Sequence, residues 1–536
     1  MPSGVSQSTQ KLIQRYRSWK ESLKKKEGVS TIHVDEVASK VAAFYEKIRG
    51  IVDWKEEHLM KRGAIERSLK RRLLISKEGK AIAEPLVLEL IRGGHFPNDH
   101  IEESKIGEVE KILNKYIYIL DKSPDSHSEK IKLQLYNWIL GIAACEIEET
   151  LSSSGRERAL IDYMMESMRE KIKIKEGIIV VGGMSEETKN TQIYIAIHRA
   201  LFKLDAPIIS YHLLKRLCSQ WQDLAAPDIQ EISQNIYLIW ESLEKDLKHP
   251  LADKFYNICE RYDTPYLLLG DILSEEDPDE FLQKFSNPET LEALLRRSYN
   301  KRLSTLKSRL TRAAILSTLS IFLTNSFSLV ILEIPLARLI TGTFYPYTIV
   351  VDILGPTFLM FLLVVTIRPP SKKNLDIVLM ETMKIVYERK ENDVYEIKVP
   401  QKKGFLTKFI ISIIYLFGAS VSIGAIVYIF QLASFPPTSV VINIIFVALI
   451  AFAGLAVRNR AEELTVEEKK PGFFGFLFDI FFLPIVGMGR WFSNKWKKYN
   501  AIAVFFNALI DLPFQVFIEF LEQWRYFLKE KKEEIH

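Results

Sequence analysis

The pattern of hydrophobic and polar positions divides the chain into two halves. Up to residue 312, apolar side chains recur every three or four residues among many Lys, Glu and Arg, as in amphipathic helices. Beyond residue 313, runs with almost no charge appear that are long enough to cross about 30 Å of hydrocarbon. They are Ala314–Leu336, Thr348–Ile367, Phe409–Leu432 and Val440–Val457. We therefore expect an all-α protein in which a large helical domain precedes four membrane spans.

Helix-start signals in the first half predict a continuous series of helices. A Ser-x-x-Glu capping box begins at Ser126. Asp205 and Asn287 each stand just before a Pro in a first helical turn, where the missing N–H costs nothing. The helix that follows Asn287 is expected to continue into the first apolar run.

Two further patterns in this half make specific predictions. Apolar residues from Val34 to Leu69 recur at three- and four-residue steps, which predicts one helix over residues 32–75. That helix either packs on its own domain or forms a dimer. Lys171–Lys175 alternates with period two, and Gly177 is expected to turn it into a hairpin with Ile178–Val181.

Basic residues concentrate on one side of the apolar runs, and the loop after the first run carries only Arg338. Seven Lys and Arg lie between Arg296 and Arg312, ten lie in loop 368–408, and two follow the fourth run. Loop 431–439 has no charge. Because cytoplasmic loops are rich in Lys and Arg, we expect a multi-pass protein of the inner cell membrane with both termini in the cytoplasm.

Residues 461–536 are predicted to lie on the membrane surface. Gly472–Met488 is apolar but contains Asp479 and Pro484, and a crossing there would place the next basic residues outside. Polar residues then recur every four positions, which predicts an amphipathic helix over residues 501–528; they are Asn507, Asp511, Gln515 and Glu519. The side chains expected to contact anionic lipid headgroups are Arg490, Lys495, Trp496, Lys497, Lys498 and Trp524.

Composition and charge exclude several classes of protein. The 72 basic and 67 acidic residues give a net charge of +5, too balanced for a protein whose whole surface binds nucleic acid. The three cysteines have no CxxC spacing, which argues against a zinc or disulfide scaffold. Residues 1–31 lack the apolar core of a signal peptide and are expected to form a basic, flexible N-terminus in the cytoplasm.

Two ionisable side chains interrupt the predicted spans. Glu333 lies near the outer end of the first span and Asp352 near the outer start of the second, each close to a Pro. Ionisable groups inside a membrane are costly and are therefore candidates for function. The pair predicts a proton or cation site, with snorkelling to the interface as the structural alternative. Asn325, in the middle of the first span, is expected to bond to another helix.

Small residues in the third and fourth spans predict close helix packing. Ser420 and Gly424 form a small-xxx-small pair, Gly418 lies nearby, and Gly454 lies in the fourth span as part of a partner surface. Small residues alone supply no selectivity group, so packing is the favoured interpretation over a pore lining.

Other motifs do not indicate chemistry. His95, Asp99 and His100 are interpreted as a polar turn, because Pro97 prevents a simple helical arrangement of metal ligands. Residues 178–185 lack the Lys-Ser/Thr of a phosphate loop. A basic cluster near the end of helix 32–75 is either a solvated face or a contact for lipid headgroups; it consists of Lys61, Arg62, Arg67, Lys70, Arg71 and Arg72. No cofactor and no metal are expected.

The predicted organisation leaves three functions open. The domains are 1–31, the helical domain 32–312, the membrane domain 313–460 with its cytoplasmic loop 368–408, and the surface segment 461–536. The leading hypothesis is a non-enzymatic scaffold or assembly factor with a protein partner or a second copy. The second is a transporter or channel subunit that uses Glu333 and Asp352. The third is a lipid-acting enzyme that uses Asp479 or Asp511.

Overall fold

The structure is a computed structural model that describes most of the chain. The described residues are 4–24, 28–34, 57–125, 127–152, 154–175, 184–218, 220–335, 339, 346–367, 369–387, 394–398, 404–432, 435, 437–466, 473–499, 520, 523–524, 527–528 and 531. Within these ranges some side chains, including those of Glu333 and Lys495–Lys498, are not described. The chain divides into two units.

The first unit comprises residues 1–287, 384–397 and 506–536, and its described part is almost wholly helical. Its elements up to residue 287 are α1 (Gln7–Ser22), α2 (Glu57–Ile75), α3 (Gly79–Arg92), α4 (Ser104–Lys122), α5 (Glu129–Leu151), α6 (Gly155–Lys171), β1 (Ile172–Lys175), α7 (Glu186–Phe202), α8 (Ala206–Leu217), α9 (Ala226–Leu247), α10 (Ala252–Arg261), α11 (Asp263–Glu275) and α12 (Phe281–Ser286), with 3-10 turns at Trp221–Asp223 and Pro278–Glu280. Asp205 caps α8 as predicted, because its carboxylate accepts the Ile208 N–H.

The predicted flexible N-terminus is wrong for residues 7–22, which form α1. Ser6 caps this helix by accepting the Thr9 N–H, and Leu12, Ile13 and Tyr16 are buried. The Thr9 hydroxyl also forms a hydrogen bond with the Tyr163 hydroxyl at 2.7 Å. The abundant Lys and Arg of this segment concealed the apolar stripe that packs α1 against α6.

The predicted helix over residues 32–75 is wrong at its start. Ile32 is extended, donates its N–H to the Ile101 carbonyl and accepts the Asp99 N–H. Val34 exchanges two hydrogen bonds with the Asn98 side chain. The chain is helical over 57–75, and residues 35–56 lie outside the described ranges. The residues at 32–34 thus pair with a distant turn instead of extending the heptad pattern.

The predicted hairpin is also wrong, although its first strand exists. β1 pairs with β2 (Tyr395–Lys398), more than 200 residues away, and not with residues 178–181, which are not described. Tyr395 of β2 stacks on Tyr262, with ring centroids 4.3 Å apart. Local sequence could show that a strand was present but not which strand it would meet.

The second unit comprises residues 288–383 and 398–505 and contains the apolar helices. Its elements are α13 (Pro288–Ser328, continued by a π-helical turn at Leu329–Glu333), α14 (Pro346–Val365), α15 (Lys372–Tyr387, which ends in the first unit), α16 (Phe405–Leu432), α17 (Pro437–Ala461) and α18 (Phe473–Tyr499). Three helices within the described residues are long and apolar enough to cross a membrane, namely Pro288–Ile331, Phe405–Leu432 and Ser439–Ala461; Val350–Val365 is a shorter apolar helix.

α18 is one continuous helix that packs along α17 and α16. Pro484 lies inside it. Gly489 lies against α17, where a Cβ atom would overlap the Ala448 carbonyl oxygen. Residues 473–488, predicted above to lie on the membrane surface, are thus part of a 27-residue helix. The polar stripe predicted over residues 501–528 falls almost wholly outside the described residues.

Loop 368–408, which was predicted only as a connection between spans, contains α15 and β2. Asn374 anchors the start of α15. Its amide donates to the Tyr299 hydroxyl at 3.0 Å and to the Leu464 carbonyl at 2.6 Å, and its carbonyl oxygen accepts the Val466 N–H at 2.8 Å. One buried side chain therefore joins α13, α15 and the segment that follows α17.

Candidate functional site

Four polar side chains meet among the apolar helices of the second unit. Asn325 lies on α13, Asp352 on α14, and Ser439 and Asn443 on α17. Each is at most 5% exposed, although apolar residues dominate all three helices. A cluster of this kind inside candidate membrane helices is a functional candidate because burying polar groups there is costly. We call these four residues the amide–carboxylate cluster.

The hydrogen bonds of the cluster centre on Asp352. The Asn443 amide donates to Asp352 Oδ1 at 2.6 Å and to the Ser439 carbonyl at 3.0 Å. The Asn325 amide donates to the Asp352 main-chain carbonyl at 3.3 Å. That carbonyl lacks its usual helical donor, because the residue four positions further on is Pro356, which has no N–H. Asn325 therefore compensates for a proline in a neighbouring helix, as expected of polar side chains in membranes.

Two oxygen atoms of the cluster have no hydrogen-bond partner among the described residues. They are the Oδ1 atom of Asn325 and the Oγ atom of Ser439. A buried acceptor without a partner costs about 1–3 kcal/mol, and such atoms are uncommon in folded proteins. These oxygens are the groups of the cluster that a bound cation or water molecule could satisfy.

The structure thus places one of the two predicted ion-site residues in a buried polar cluster. Asp352 is 3% exposed. Glu333 lies at the end of the π-helical turn, and its side chain is not described. Sequence reasoning anticipated the interhelical bond of Asn325 but missed Ser439 and Asn443. Asn443 is the only polar side chain in the run Val440–Val457, a signal that would have found it.

Gly418 and Ser422 of α16 pack against α18 within the turn that precedes Pro484. At Gly418 a Cβ atom would lie 2.6 Å from the Ile480 carbonyl oxygen, which Pro484 leaves without its helical donor. The Ser422 hydroxyl donates to the Phe481 carbonyl at 2.7 Å. The contact face therefore carries Gly418 and Ser422, which are four residues apart and share one side of the helix.

The remaining predicted packing residues lie elsewhere. Ser420 is exposed, and Gly424 has no atom within 4 Å of a Cβ position. Gly454 of α17 lies against Leu363 of α14, at 3.1 Å from its Cβ position to Cδ1. The small residues of α16 and α17 thus contact α18 and α14 respectively, whereas the sequence suggested that they contact each other.

The predicted lipid-contact residues are only partly described. Arg490 is exposed at the surface of α18, and the side chains of Lys495, Trp496, Lys497 and Lys498 are not described. Trp524 is 50% exposed and its ring lies 6.0 Å from that of Phe520. The side chain of Asp479 and all of Asp511 also lie outside the described residues.

The basic cluster of α2 is largely engaged in ion pairs within the first unit. Arg62 contacts Glu66 and Asp205, and Lys70 contacts Glu66. Arg71 and Arg72 both contact Glu89 of α3. These pairs favour a structural role for the cluster over a role in binding lipid headgroups.

The most deeply buried charges of the first unit also bind each other. Lys115 donates to Glu146 Oε1 at 2.6 Å and to the Trp221 carbonyl at 2.9 Å. Tyr116 and the Trp221 indole both donate to Glu146 Oε2. Burial lowers the pKa of Lys115, an effect that the Glu146 carboxylate opposes. Every polar group of this network has a partner, so we call it the closed network.

A second set of charges surrounds Glu149. Tyr211 donates to this carboxylate at 2.6 Å, and Lys215 and Arg158 lie at 2.9 and 2.6 Å. Burial acts to raise the pKa of Glu149, but the Tyr211 hydrogen bond and the two cations outweigh it and hold that pKa below its usual value. Like the closed network, this cluster ties helices together and leaves its carboxylate occupied.

The polar side chains of the turn at residues 95–100 are also engaged by neighbouring protein groups. His33 Nδ1 lies 3.0 Å from Asp99 Oδ1, His100 Nδ1 contacts the Asn98 carbonyl, and Asp99 has φ +59°. Within the described ranges no group of three or more His, Cys, Asp or Glu side chains is arranged to hold a metal ion. Comparisons of the chain with protein-family models, with curated proteins and with solved structures gave no match.

Proposed function

We propose that this chain is a multi-pass membrane protein whose first unit acts on the cytoplasmic side as a non-enzymatic scaffold or assembly factor. The observation that carries the proposal is that residues 384–397, which connect two apolar regions of the chain, belong to the first unit. A domain that only needed an anchor would require a single connection to the membrane helices. Here the chain returns to the domain after its first apolar helices.

The returning segment is held by specific contacts. The Val386 carbonyl accepts the Ser6 N–H at 2.9 Å. The Tyr387 hydroxyl donates to the Phe285 carbonyl at 2.8 Å and is buried. Tyr395 stacks on Tyr262, and β2 pairs with β1. These contacts involve residues near both ends of the 1–287 stretch. They support the proposal that the segment connecting the apolar regions is an integral part of the first unit.

The same segment supports the proposed topology. A segment that folds into the domain lies on the same side of the membrane as that domain, so α13 and α14 together form an out-and-back pair. The bond between Asp352 and Asn443 joins the second turns of α14 and α17, which supports both helices entering from one side. The positive-inside rule then assigns the basic flanks and both termini to the cytoplasm.

Topology is tested by labelling single cysteines with a membrane-impermeant thiol reagent. The background variant is Cys218→Ser, because Cys145 and Cys259 are buried. We expect Glu396→Cys to react only after the membrane is opened and Thr341→Cys to react in intact cells. Labelling of Glu396→Cys from outside would overturn the orientation. Ser493→Cys reports separately on the side at which α18 ends.

The scaffold role is tested on the intact protein. Crosslinked protein is extracted from its native membrane in detergent and purified, and co-purifying proteins are identified by mass spectrometry with a native mass measurement. A reproducible set of other proteins at near-stoichiometric amounts is expected. A homo-oligomer without any other protein would contradict the scaffold proposal. Vesicle binding that depends on anionic lipid tests the lipid partner, with Arg490→Ser as the variant expected to weaken it.

The second candidate, a transporter or channel subunit, is favoured by the amide–carboxylate cluster. Its prediction is that Asp352→Asn or Glu333→Gln abolishes an ion or proton flux in reconstituted vesicles without lowering the yield of folded protein. Unchanged flux in both variants would remove this candidate. No described residue supports the third candidate, the lipid-acting enzyme, because the side chains of its proposed carboxylates are not described.

A further inference from the structure

The amide–carboxylate cluster has the composition of a cation site. Its two atoms without a partner among the described residues are oxygens, which are the ligands that hard cations such as alkali and alkaline-earth ions prefer. The nitrogen of Asn443 is turned toward Asp352 and the Ser439 carbonyl, so it does not face a ligand as a competing donor. The Asn325 nitrogen is likewise engaged by the Asp352 carbonyl.

The two oxygens without partners lie on different helices that the cluster joins. Asn325 Oδ1 belongs to α13 and Ser439 Oγ to α17, and both residues are more than nine-tenths buried. Neither atom can be hydrated from bulk solvent at that burial. A bound cation would offset the cost of leaving both acceptors unsatisfied among apolar helices.

Charge decides the class of cation. Among the four residues of the cluster, one is a carboxylate and three are neutral. A monovalent cation therefore balances the single carboxylate of these four residues, whereas a divalent cation would leave them with a net positive charge among apolar side chains, which is strongly unfavourable. The break in the α14 hydrogen-bond ladder at Pro356 adds a main-chain carbonyl at the same place, as in ion sites formed at discontinuous membrane helices.

We propose that Asp352, Asn325 and Ser439 bind one small monovalent metal cation, with sodium as the probe ion. The side chain of Asp352 supplies the charge, the side-chain oxygens of Asn325 and Ser439 supply neutral ligands, and Asn443 positions the carboxylate. The inference concerns binding alone. It does not depend on the scaffold proposal, because it is measured without a protein partner and without flux.

The test is equilibrium binding of ²²Na⁺ to the purified full-length protein in lipid nanodiscs, with choline chloride keeping the ionic strength constant. Saturable binding of one ion per chain is expected, with the ion displaced by Li⁺ but not by choline. Asp352→Asn is expected to abolish it. Absence of saturable binding to the wild-type protein, or full binding by Asp352→Asn, would overturn the proposal; the former is also the outcome expected if Asp352 takes a proton instead.

Ser439→Ala keeps the proposal testable if Asp352→Asn does not fold. It removes a hydroxyl that makes no hydrogen bond with any described residue, so a purely structural role predicts no loss of stability. A role as ligand predicts that sodium affinity falls about tenfold, the equivalent of losing one polar contact. Ser422→Ala is the matched control, because Ser422 bonds to α18 outside the cluster and should leave the affinity unchanged. Equal sodium affinity in Ser439→Ala and wild type would contradict the site.

Discussion

Two buried carboxylates, one in each unit, have different surroundings. In the first unit, the Glu146 carboxylate receives hydrogen bonds from Lys115, Tyr116 and Trp221, and each donor comes from the protein itself. In the second unit, the Asp352 carboxylate is held by the Asn443 amide, while oxygens of Asn325 and Ser439 lack partners among the described residues. The first arrangement is complete as it stands, and the second leaves acceptors that a ligand can use.

This difference separates structural from functional polarity. A fully satisfied buried network fixes the positions of the helices that contribute to it, and it offers nothing to a ligand. A partly satisfied cluster among apolar helices is costly to keep unless it binds something. Burial of a carboxylate therefore identifies a candidate, and the hydrogen-bond inventory around it decides between the two roles.

The largest predicted effect tests the closed network. Lys115→Met leaves the Glu146 carboxylate buried without its cation, and we expect a loss of about 3–5 kcal/mol in the free energy of unfolding. Thermal or chemical unfolding of the detergent-solubilised full-length protein, followed by Trp fluorescence, measures it. The control is Arg15→Ala, which removes an exposed pair with Asp162 and should cost less than about 1 kcal/mol. Equal losses in the two variants would show that the network is not closed.

Glu148 in the first unit gives a pH-dependent prediction. Burial raises the pKa of its carboxyl to about 8, and its carboxylate has no hydrogen-bond partner among the described residues. Because the folded state binds this proton more tightly than the unfolded state, stability falls as pH rises from about 4.5 to about 8. Glu148→Gln should reduce this loss of stability by a few kcal/mol, since each unit of pKa shift corresponds to about 1.4 kcal/mol.

The measurement is the free energy of unfolding at several pH values between 5 and 9 for wild type and Glu148→Gln. His198 and His212 titrate in the opposite sense, since burial lowers their pKa values to about 3 and about 4. The stability that these two neutral histidines contribute is lost as pH falls below the usual His pKa. They therefore dominate the pH dependence of stability at the acid end. If the two curves remain parallel above pH 6.5, Glu148 is hydrated and does not carry the effect.

Local signals in the sequence were enough for most helices but not for their partners. Asp205 and the Pro that follows it identify the start of α8, because capping depends on neighbouring residues. β1 was found by its alternation, yet its partner β2 is separated from it in the sequence by two apolar helices, α13 and α14. The Lys-rich N-terminus hid α1, since its stabilisation comes from tertiary contacts such as that between Thr9 and Tyr163.

The residues of the candidate site also differ in whether the sequence identified them. Asp352 was identified from its charge in an apolar run, and Asn325 from its amide. Asn443 met the same criterion and was overlooked, whereas Ser439 lies at the edge of its run and resembles an ordinary loop residue. That the four residues come together depends on how three helices are rotated about their axes, which runs that are apolar on most faces do not encode.

A smaller effect tests how closely the helices of the second unit approach each other. Gly418→Ala places a methyl group against the Ile480 carbonyl, so α16 and α18 must separate, and we expect a loss of about 1–3 kcal/mol. Gly424→Ala is the matched control, because no atom lies within 4 Å of its Cβ position. It should be neutral or stabilise the helix by up to about 1 kcal/mol. Thermal midpoints in detergent distinguish the two variants, and equal shifts would contradict the packing face.

The smallest predicted effect concerns a polar group of the second unit that is structural. Ser422→Ala removes the donor to the Phe481 carbonyl beside Pro484, and hydrogen bonds between membrane helices contribute about 0.6–1.7 kcal/mol. Ser420→Ala, two residues away on an exposed face, should change the thermal midpoint little. Ser422→Ala should also keep its sodium affinity, whereas Ser439→Ala should keep its stability and lose affinity. This crossed outcome would show that the second unit, too, contains both kinds of buried polarity, and that partners rather than location distinguish them.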